Sequence, residues 1–337
     1  MNKQSATYSN HNISILICSK DRRSELENLV KSLKDIQIKK SFQIVVVEET
    51  DNPFPIHGVK YVSHPYANRG IPYARNMALR YAEGEIFVFV DDDCVLHNGW
   101  FEKLLQPLED ASVIGVQGGV TVPEGTNAVG WVESILGFPG GGIKRIFEAK
   151  CKNQDTREIS TLNCAYRRWV IEKVGGFERE LKVAGEDYIL AKKACSYGRC
   201  LFIPNAVVFH YARGSLKKIW RWFIRRGRSE IDIIRVGKQR DTTFFTLLKS
   251  SLLIKFFFFL IIGVCFPRVM LPLMFLGLLA YVLLQYFRCY QPWKYSKAKK
   301  DAFIIIPVVK LVMDIAMDTG RFIGLIFDKN NQSNIKF

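Results

Sequence analysis

Over the first ninety residues the hydrophobic pattern switches between two periods. Residues 13–17 (ISILI), 42–47 (FQIVVV) and 86–90 (IFVFV) are short, apolar, β-rich runs, the pattern of strands buried in a parallel sheet. Between the first two, Leu26, Leu29, Val30, Leu33 and Ile36 recur at helical spacing, with Ser19 or Asp21 placed to cap that helix. Residues 68–82 read as a second helix with Ala74, Met77, Ala78 and Tyr81 inward, and 59–62 as a short strand after the Pro-rich break at 51–58. This βαβαβ alternation predicts an α/β fold: a doubly wound, mostly parallel sheet with helices on both faces.

The pattern continues with a helix at 99–109, a strand at 113–122, a strand at 159–165, a short helix at 167–174 closed by Gly175-Gly176, a helix at 186–197 and a last strand at 206–210. Residues 123–158 contain Phe138-Pro139-Gly140-Gly141-Gly142, which does not hold regular structure cheaply, so a mobile loop over the site is expected there.

From 213 the pattern changes. Ten Lys and Arg residues are interleaved with Ile219, Trp220, Trp222, Phe223 and Ile224 up to 240, a mixture suited to an anionic membrane surface. Nucleic acid is the rival partner, and the apolar runs 244–266 and 269–287 that follow decide against it. With only Pro267-Arg268 between them, they predict a membrane hairpin whose basic flanks face the cytoplasm. Lys310, Asp314, Asp318 and Arg321 punctuate 302–327 at helical spacing and predict an interfacial amphipathic helix. The expected divisions are a disordered terminus (1–11), an α/β domain (12–212), a basic and aromatic surface segment (213–243), a transmembrane hairpin (244–288) and a basic loop with the amphipathic helix (289–337).

Composition adds two constraints. The 337-residue chain carries a formal charge of +16, pointing to phosphate or an anionic membrane as partner. Its N-terminus lacks an apolar core of a secretory signal, and its eight scattered cysteines form no CxxC pair, which favours reduced thiols in the cytosol over disulfides or zinc.

The candidate chemistry begins at Asp91, Asp92 and Asp93, which follow the 86–90 strand directly. The C-terminal ends of parallel strands are where open α/β sheets bind ligands. Adjacent carboxylates repel, and a divalent cation bridging a diphosphate would remove that repulsion. A solvated acidic turn is the plain alternative. Gly185-Glu186-Asp187 opens a helix and offers either a general base or a dipole-complementing acid. His210 ends an apolar strand, as a structural histidine or a third ligand for a metal such as Mn²⁺. Asn68-Arg69-Gly70 and Ala74-Arg75-Asn76 place cationic and amide groups near a helix start, and Asn163-Cys164-Ala165 precedes Arg167-Arg168.

In their order, ISILICSKDR, VVVEE, NRGIPYARNMAL, FVFVDDDC, NCAYRR, VGGF and GEDYILAKKA, followed by His210, resemble the family 2 glycosyltransferases of GT-A fold over roughly residues 12–230. The resemblance implies that Asp91 and Asp93 are the D-x-D pair that binds Mg²⁺ or Mn²⁺, with His210 a further ligand. It implies Glu48, Arg75, Asp91 and Asp92 as nucleotide-sugar contacts, Glu48 standing where relatives usually have Asp. It implies Asp187 as the catalytic base, with Glu186 beside it and Asn163 on the acceptor side.

The activity so implied is inverting, metal-dependent transfer of a single sugar from a nucleotide-sugar donor, of UDP type, to a glycan or lipid-linked acceptor. The place is the cytoplasmic face of the inner membrane, in polysaccharide or glycan assembly. Processive synthases carry Q-x-x-R-W after the catalytic acid, and Arg225-Arg226-Gly227-Arg228-Ser229 occupies that region here. A nucleotidyltransferase would carry a Gly-rich basic signature near the first strand, which CSKDRR is not. An inactive membrane scaffold is opposed by the intact Asp91, Asp93 and Asp187.

Overall fold

The computed structural model describes residues 12–36, 41–67, 69–236, 249–265 and 267–326. The expected disordered terminus at 1–11, Asn68, the end of the basic segment and the first residues of the first apolar run lie outside the described residues. The chain divides into two compact units, the first comprising 1–120, 149–179 and 186–210, the second 121–148, 180–185 and 211–337.

The first unit is built on a nine-stranded sheet of order β3-β2-β1-β4-β8-β6-β9-β5, with β7 pairing β9. Strands β1 (Ile13–Lys20), β2 (Phe42–Glu49), β3 (Lys60–His64) and β4 (Ile86–Val90) pair in parallel. Beyond β4, strand β8 (Asn163–Arg167) runs antiparallel to its neighbours β4 and β6 (Val113–Thr121). Strand β9 (Arg199–His210) starts beside the start of β6, the Arg199 N–H donating to the Ser112 carbonyl at 2.9 Å, and the two-residue strands β5 (Cys94–Val95) and β7 (Gln154–Asp155) pair antiparallel with β9.

Alternation along the strands creates two cores. Ile13, Ile15 and Ile17 face one side, with Val88, Val90 and the apolar stripe of α1 (Arg23–Asp35): Leu26, Leu29, Val30 and Leu33. Helix α3 (Trp100–Leu105) packs into that core through Trp100, Phe101 and Leu104. Leu16, Phe87 and Phe89 face the other side, with α2 (Ile71–Tyr81), α6 (Arg168–Val174) and α7 (Glu186–Ala194). The period of two in a strand thus supplies apolar residues to both layers, which is why these strands read as continuous apolar runs.

Some local expectations change. Neither Ser19 nor Asp21 caps α1; Arg22 holds the cap position without a side-chain bond, and Asp21 adopts a φ of 54°. On α2, Tyr81 is exposed, and the inward position next to Ala74 belongs to Arg75.

The second unit is helical. The expected mobile loop at 123–158 instead contains α4 (Ala128–Ile135) and α5 (Gly142–Glu148). Asn127 caps α4 by accepting from the Gly130 N–H at 3.0 Å, and the Pro/Gly run is only the turn between the two helices. Helix α8 (Leu216–Val236) is followed by α9 (Leu252–Cys265), α10 (Pro267–Ser296), α11 (Lys300–Ile304) and α12 (Ile306–Ile326). Among the described residues one helical segment, Pro272–Ser296, is long and apolar enough to cross a membrane; the apolar part of α9 is shorter, Leu252–Ile261. Both helices leave large apolar side chains exposed, Phe257, Phe258, Phe275 and Phe287 among them.

The charges of α12, expected at an interface, are paired inside the unit. Asp318 is buried, accepts from the Leu253 N–H at 2.9 Å and binds Arg321, which reaches Glu230 of α8 at 2.7 Å. Helices α8 and α12 cross at glycines. A Cβ on Gly227 would lie 2.0 Å from the Met317 carbonyl oxygen, and one on Gly320 2.0 Å from that of Ile224. Backbone against backbone cannot yield as a flexible side chain does, so Gly227→Ala should destabilise the chain by about 1–3 kcal/mol, read as a lowered melting temperature.

Candidate active site

All residues of this site lie in the first unit. β4 ends at Val90, so Asp91, Asp92 and Asp93 leave the sheet at its C-terminal edge. Antiparallel pairing of β5 with β9 sets Cys94 opposite His210, which brings the last residue of β9 beside Asp93. His210 Nε2 lies 3.2 Å from Asp93 Oδ1. One ligand atom from each of Asp91, Asp93 and His210 falls within 4.8 Å of the others.

The three aspartates have different surroundings. Asp92 is fully buried and lies 2.6 Å from Arg22 Nη2; burial nevertheless pushes its carboxyl up to about 7. Burial also raises Asp93, but the hydrogen bond and charge of His210, with Arg22, more than offset it and hold the carboxyl at about 2. Asp91 is raised by burial against the opposing pull of Arg75.

Arg75 ties the elements together. Its guanidinium, buried at the second turn of α2, donates to Glu186 at the start of α7 and lies 3.4 Å from Asp91. Burial pushes Glu186 up to about 7, with Arg75 pulling the other way. Glu186 Oε2 is buried and has no hydrogen-bond partner among the described residues. Asp187 is half-buried in the first turn of α7, where its Oδ1 accepts from the Tyr188 N–H at 2.8 Å. Its negative charge is also felt at Arg75.

Glu48 lies buried at the C-terminal end of β2, accepting from the Tyr61 hydroxyl and lying 3.2 Å from Arg23. It therefore shares the sheet edge with the aspartates while keeping its own partners. Asn163 departs from expectation. It is fully buried; its amide nitrogen donates to the Gly119 and Ala206 carbonyls at 2.9 Å, and its Oδ1 accepts from Trp100 Nε1 at 2.8 Å. With its amide so engaged, Asn163 ties β6, β9 and α3 together. Arg22 has the opposite history: it lay within the quoted CSKDRR run with no role, yet it binds both Asp92 and Asp93.

The donor set fits a divalent cation. Hard carboxylate oxygens with one imidazole suit Mg²⁺ or Mn²⁺. Asp92 Oδ2 and Asp93 Oδ1, the latter 3.2 Å from His210 Nε2, are buried without a well-formed hydrogen bond among the described residues, the state of groups that a cation would satisfy.

Residues 14–175 match the family model described as Glycosyl transferase family 2. The chain is similar to the glycosyltransferase AglE of Haloferax volcanii, 24% identical over 225 residues, covering 62% of this chain and 71% of that one. It is also similar to the pre-mycofactocin glycosyltransferase of Mycobacterium tuberculosis, 27% identical over 228 residues, covering 65% of this chain and 46% of the relative. A solved mannosyltransferase from Pyrobaculum calidifontis, in complex with GDP-Man and Mn²⁺, superposes with a TM-score of 0.54 at 15% identity, covering 94% of this chain and 88% of the other. That likeness shows the GT-A fold.

The raised Glu186 yields a signed expectation. Its folded pKa lies above the ordinary 4.5, so its stabilising contribution is present in acid and lost as pH rises through about 7. Denaturant unfolding in EDTA should show wild-type stability falling between about pH 4.5 and 7 more steeply than that of Glu186→Gln.

Proposed function

We propose that this chain, whose residues 14–175 match the Glycosyl transferase family 2 model, is a family 2 glycosyltransferase that transfers one sugar from a nucleotide-sugar donor, of UDP type, to a glycan or lipid-linked acceptor, inverting the anomeric carbon. The observation that carries this reading is the convergence at one sheet edge of Asp91, Asp93 and His210 with the Arg75–Glu186 pair and Asp187. A nucleotide sugar with a divalent cation, as in the Pyrobaculum enzyme, is the ligand pair we assign to it.

Asp91, Asp93 and His210 would hold the cation, which when bound supplies a Lewis acid toward the donor's diphosphate. Glu48, held by Arg23 and Tyr61, would contact the donor's ribose or base. Asp187 takes the proton of the acceptor hydroxyl as that oxygen bonds to the anomeric carbon. The bond from that carbon to the diphosphate oxygen breaks on the opposite face, and its electron pair leaves with the nucleoside diphosphate. Arg75 fixes the start of α7 against Asp91, and so orients Asp187 through its neighbour Glu186. The unpartnered Glu186 Oε2 remains for a hydroxyl of the acceptor or sugar.

We assign the chain to the cytoplasmic face of the inner membrane. Supporting this are the exposed apolar side chains of α9 and α10, the span-length segment Pro272–Ser296, and the Lys and Arg residues that flank both.

Two measurements test the chemistry. Detergent-solubilised protein given a panel of nucleotide sugars should release one nucleoside diphosphate in the presence of Mn²⁺ or Mg²⁺, and Asp93→Ala should abolish that release. Asp187→Asn should lower kcat for transfer by about a hundredfold to ten-thousandfold while leaving the donor KM unchanged. Equal loss of donor affinity would assign Asp187 to binding.

A further inference from the structure

Within the second unit, Arg226 on α8 has no carboxylate at ion-pair distance among the described residues. Its guanidinium carbon lies 5.0 Å from the ring centroid of Phe138 and 5.4 Å from that of Trp222. Its Nε is buried and has no hydrogen-bond partner among the described residues. Arg213 lies over the same Trp222 ring at 3.9 Å, but it binds Glu133, which is fully buried. Two guanidinium groups thus share one indole, and the carboxylate beside them belongs to Arg213.

The rings hold this arrangement in place. Phe138, Trp222 and Phe223 meet edge to face, with centroids 4.8–5.9 Å apart. Stacking occupies the faces of a guanidinium and leaves its edge donors to in-plane acceptors, a fork that matches phosphate oxygens in pairs. A partly desolvated cation without a counter-charge is costly, so the arrangement gains from an anion arriving at that edge. The aromatic faces beside the charge suit a molecule in which a phosphate is joined to hydrocarbon. The same unit exposes Lys217, Lys218, Arg221 and Arg225 on α8 and the apolar side chains of α9 and α10.

We infer that Arg226, framed by Phe138 and Trp222, is the recognition site for the phosphate of a lipid-linked acceptor. This rests on the glycosyl-transfer reading above and names the acceptor class for it.

The test uses the full chain in detergent micelles and farnesyl phosphate as probe, with farnesol as its uncharged counterpart. Calorimetry should show farnesyl phosphate binding about tenfold or more tightly than farnesol. Arg226→Gln should remove that preference, and Arg226→Lys, which keeps the charge, should recover part of it. Melting temperature and Mn²⁺-dependent binding of UDP or GDP should not change in either variant. Farnesyl phosphate binding unaltered in Arg226→Gln overturns the inference. So does a loss in Arg226→Gln that Arg226→Lys fails to recover while melting falls, because Arg226 is then structural. An effect of Arg226 seen only on vesicles containing phosphatidylglycerol also overturns it, since the contact is then with bilayer headgroups. Failure of the wild type to bind any nucleoside diphosphate with Mn²⁺ counts against glycosyl transfer and is read separately from the farnesyl phosphate arm.

Discussion

Like-charge repulsion at the end of β4 is the constraint that the site's architecture answers. Asp91, Asp92, Asp93 and Glu186 crowd one edge of the sheet, with Asp92 and Glu186 buried. Arg22 and Arg75 are the cations that face them. Two cations among four carboxylates leave an excess of negative charge, and burial, with the neighbouring carboxylates adding to it, raises the carboxyls of Asp92 and Glu186. Such an arrangement is unfavourable for folding alone and is intelligible as a place where a further cation and a substrate complete the charge balance.

Arg75 is the joint that makes this edge a site. It reaches β4 through Asp91 and α7 through Glu186, 111 residues away in sequence. Strand β9 supplies the rest: it starts beside the start of β6 and ends with His210 opposite Cys94. Asn163 acts in the interior as a cross-brace between β6, β9 and Trp100. A polar residue in the middle of an apolar core is tolerated because its hydrogen bonds are made.

Much of this was legible in the sequence where it was local. Ile13–Ile17 and Ile86–Val90 read as buried strands because both faces of the sheet are covered, and the aspartates were conspicuous for following such a strand without a break. What was not legible was long-range. Arg22 meets Asp93 across 71 residues, and nothing in its neighbourhood distinguishes it from Arg23. An asparagine in a strand looks the same whether it faces a substrate or a Trp100 indole. Along 123–158 the run of glycines hid a short apolar helix with its own Asn127 cap. On α12 the charges looked solvent-facing because their partners, Glu230 and the Leu253 N–H, come from other helices.

The central claim is that the edge of this sheet holds a divalent cation between Asp91, Asp93 and His210. Electron paramagnetic resonance of Mn²⁺ titrated into the full chain with a nucleoside diphosphate tests it most directly. The account predicts one tightly bound ion per chain whose spectrum carries a nitrogen coupling that disappears in His210→Ala. A protein that binds no Mn²⁺, or binds it with no nitrogen coupling, would contradict it.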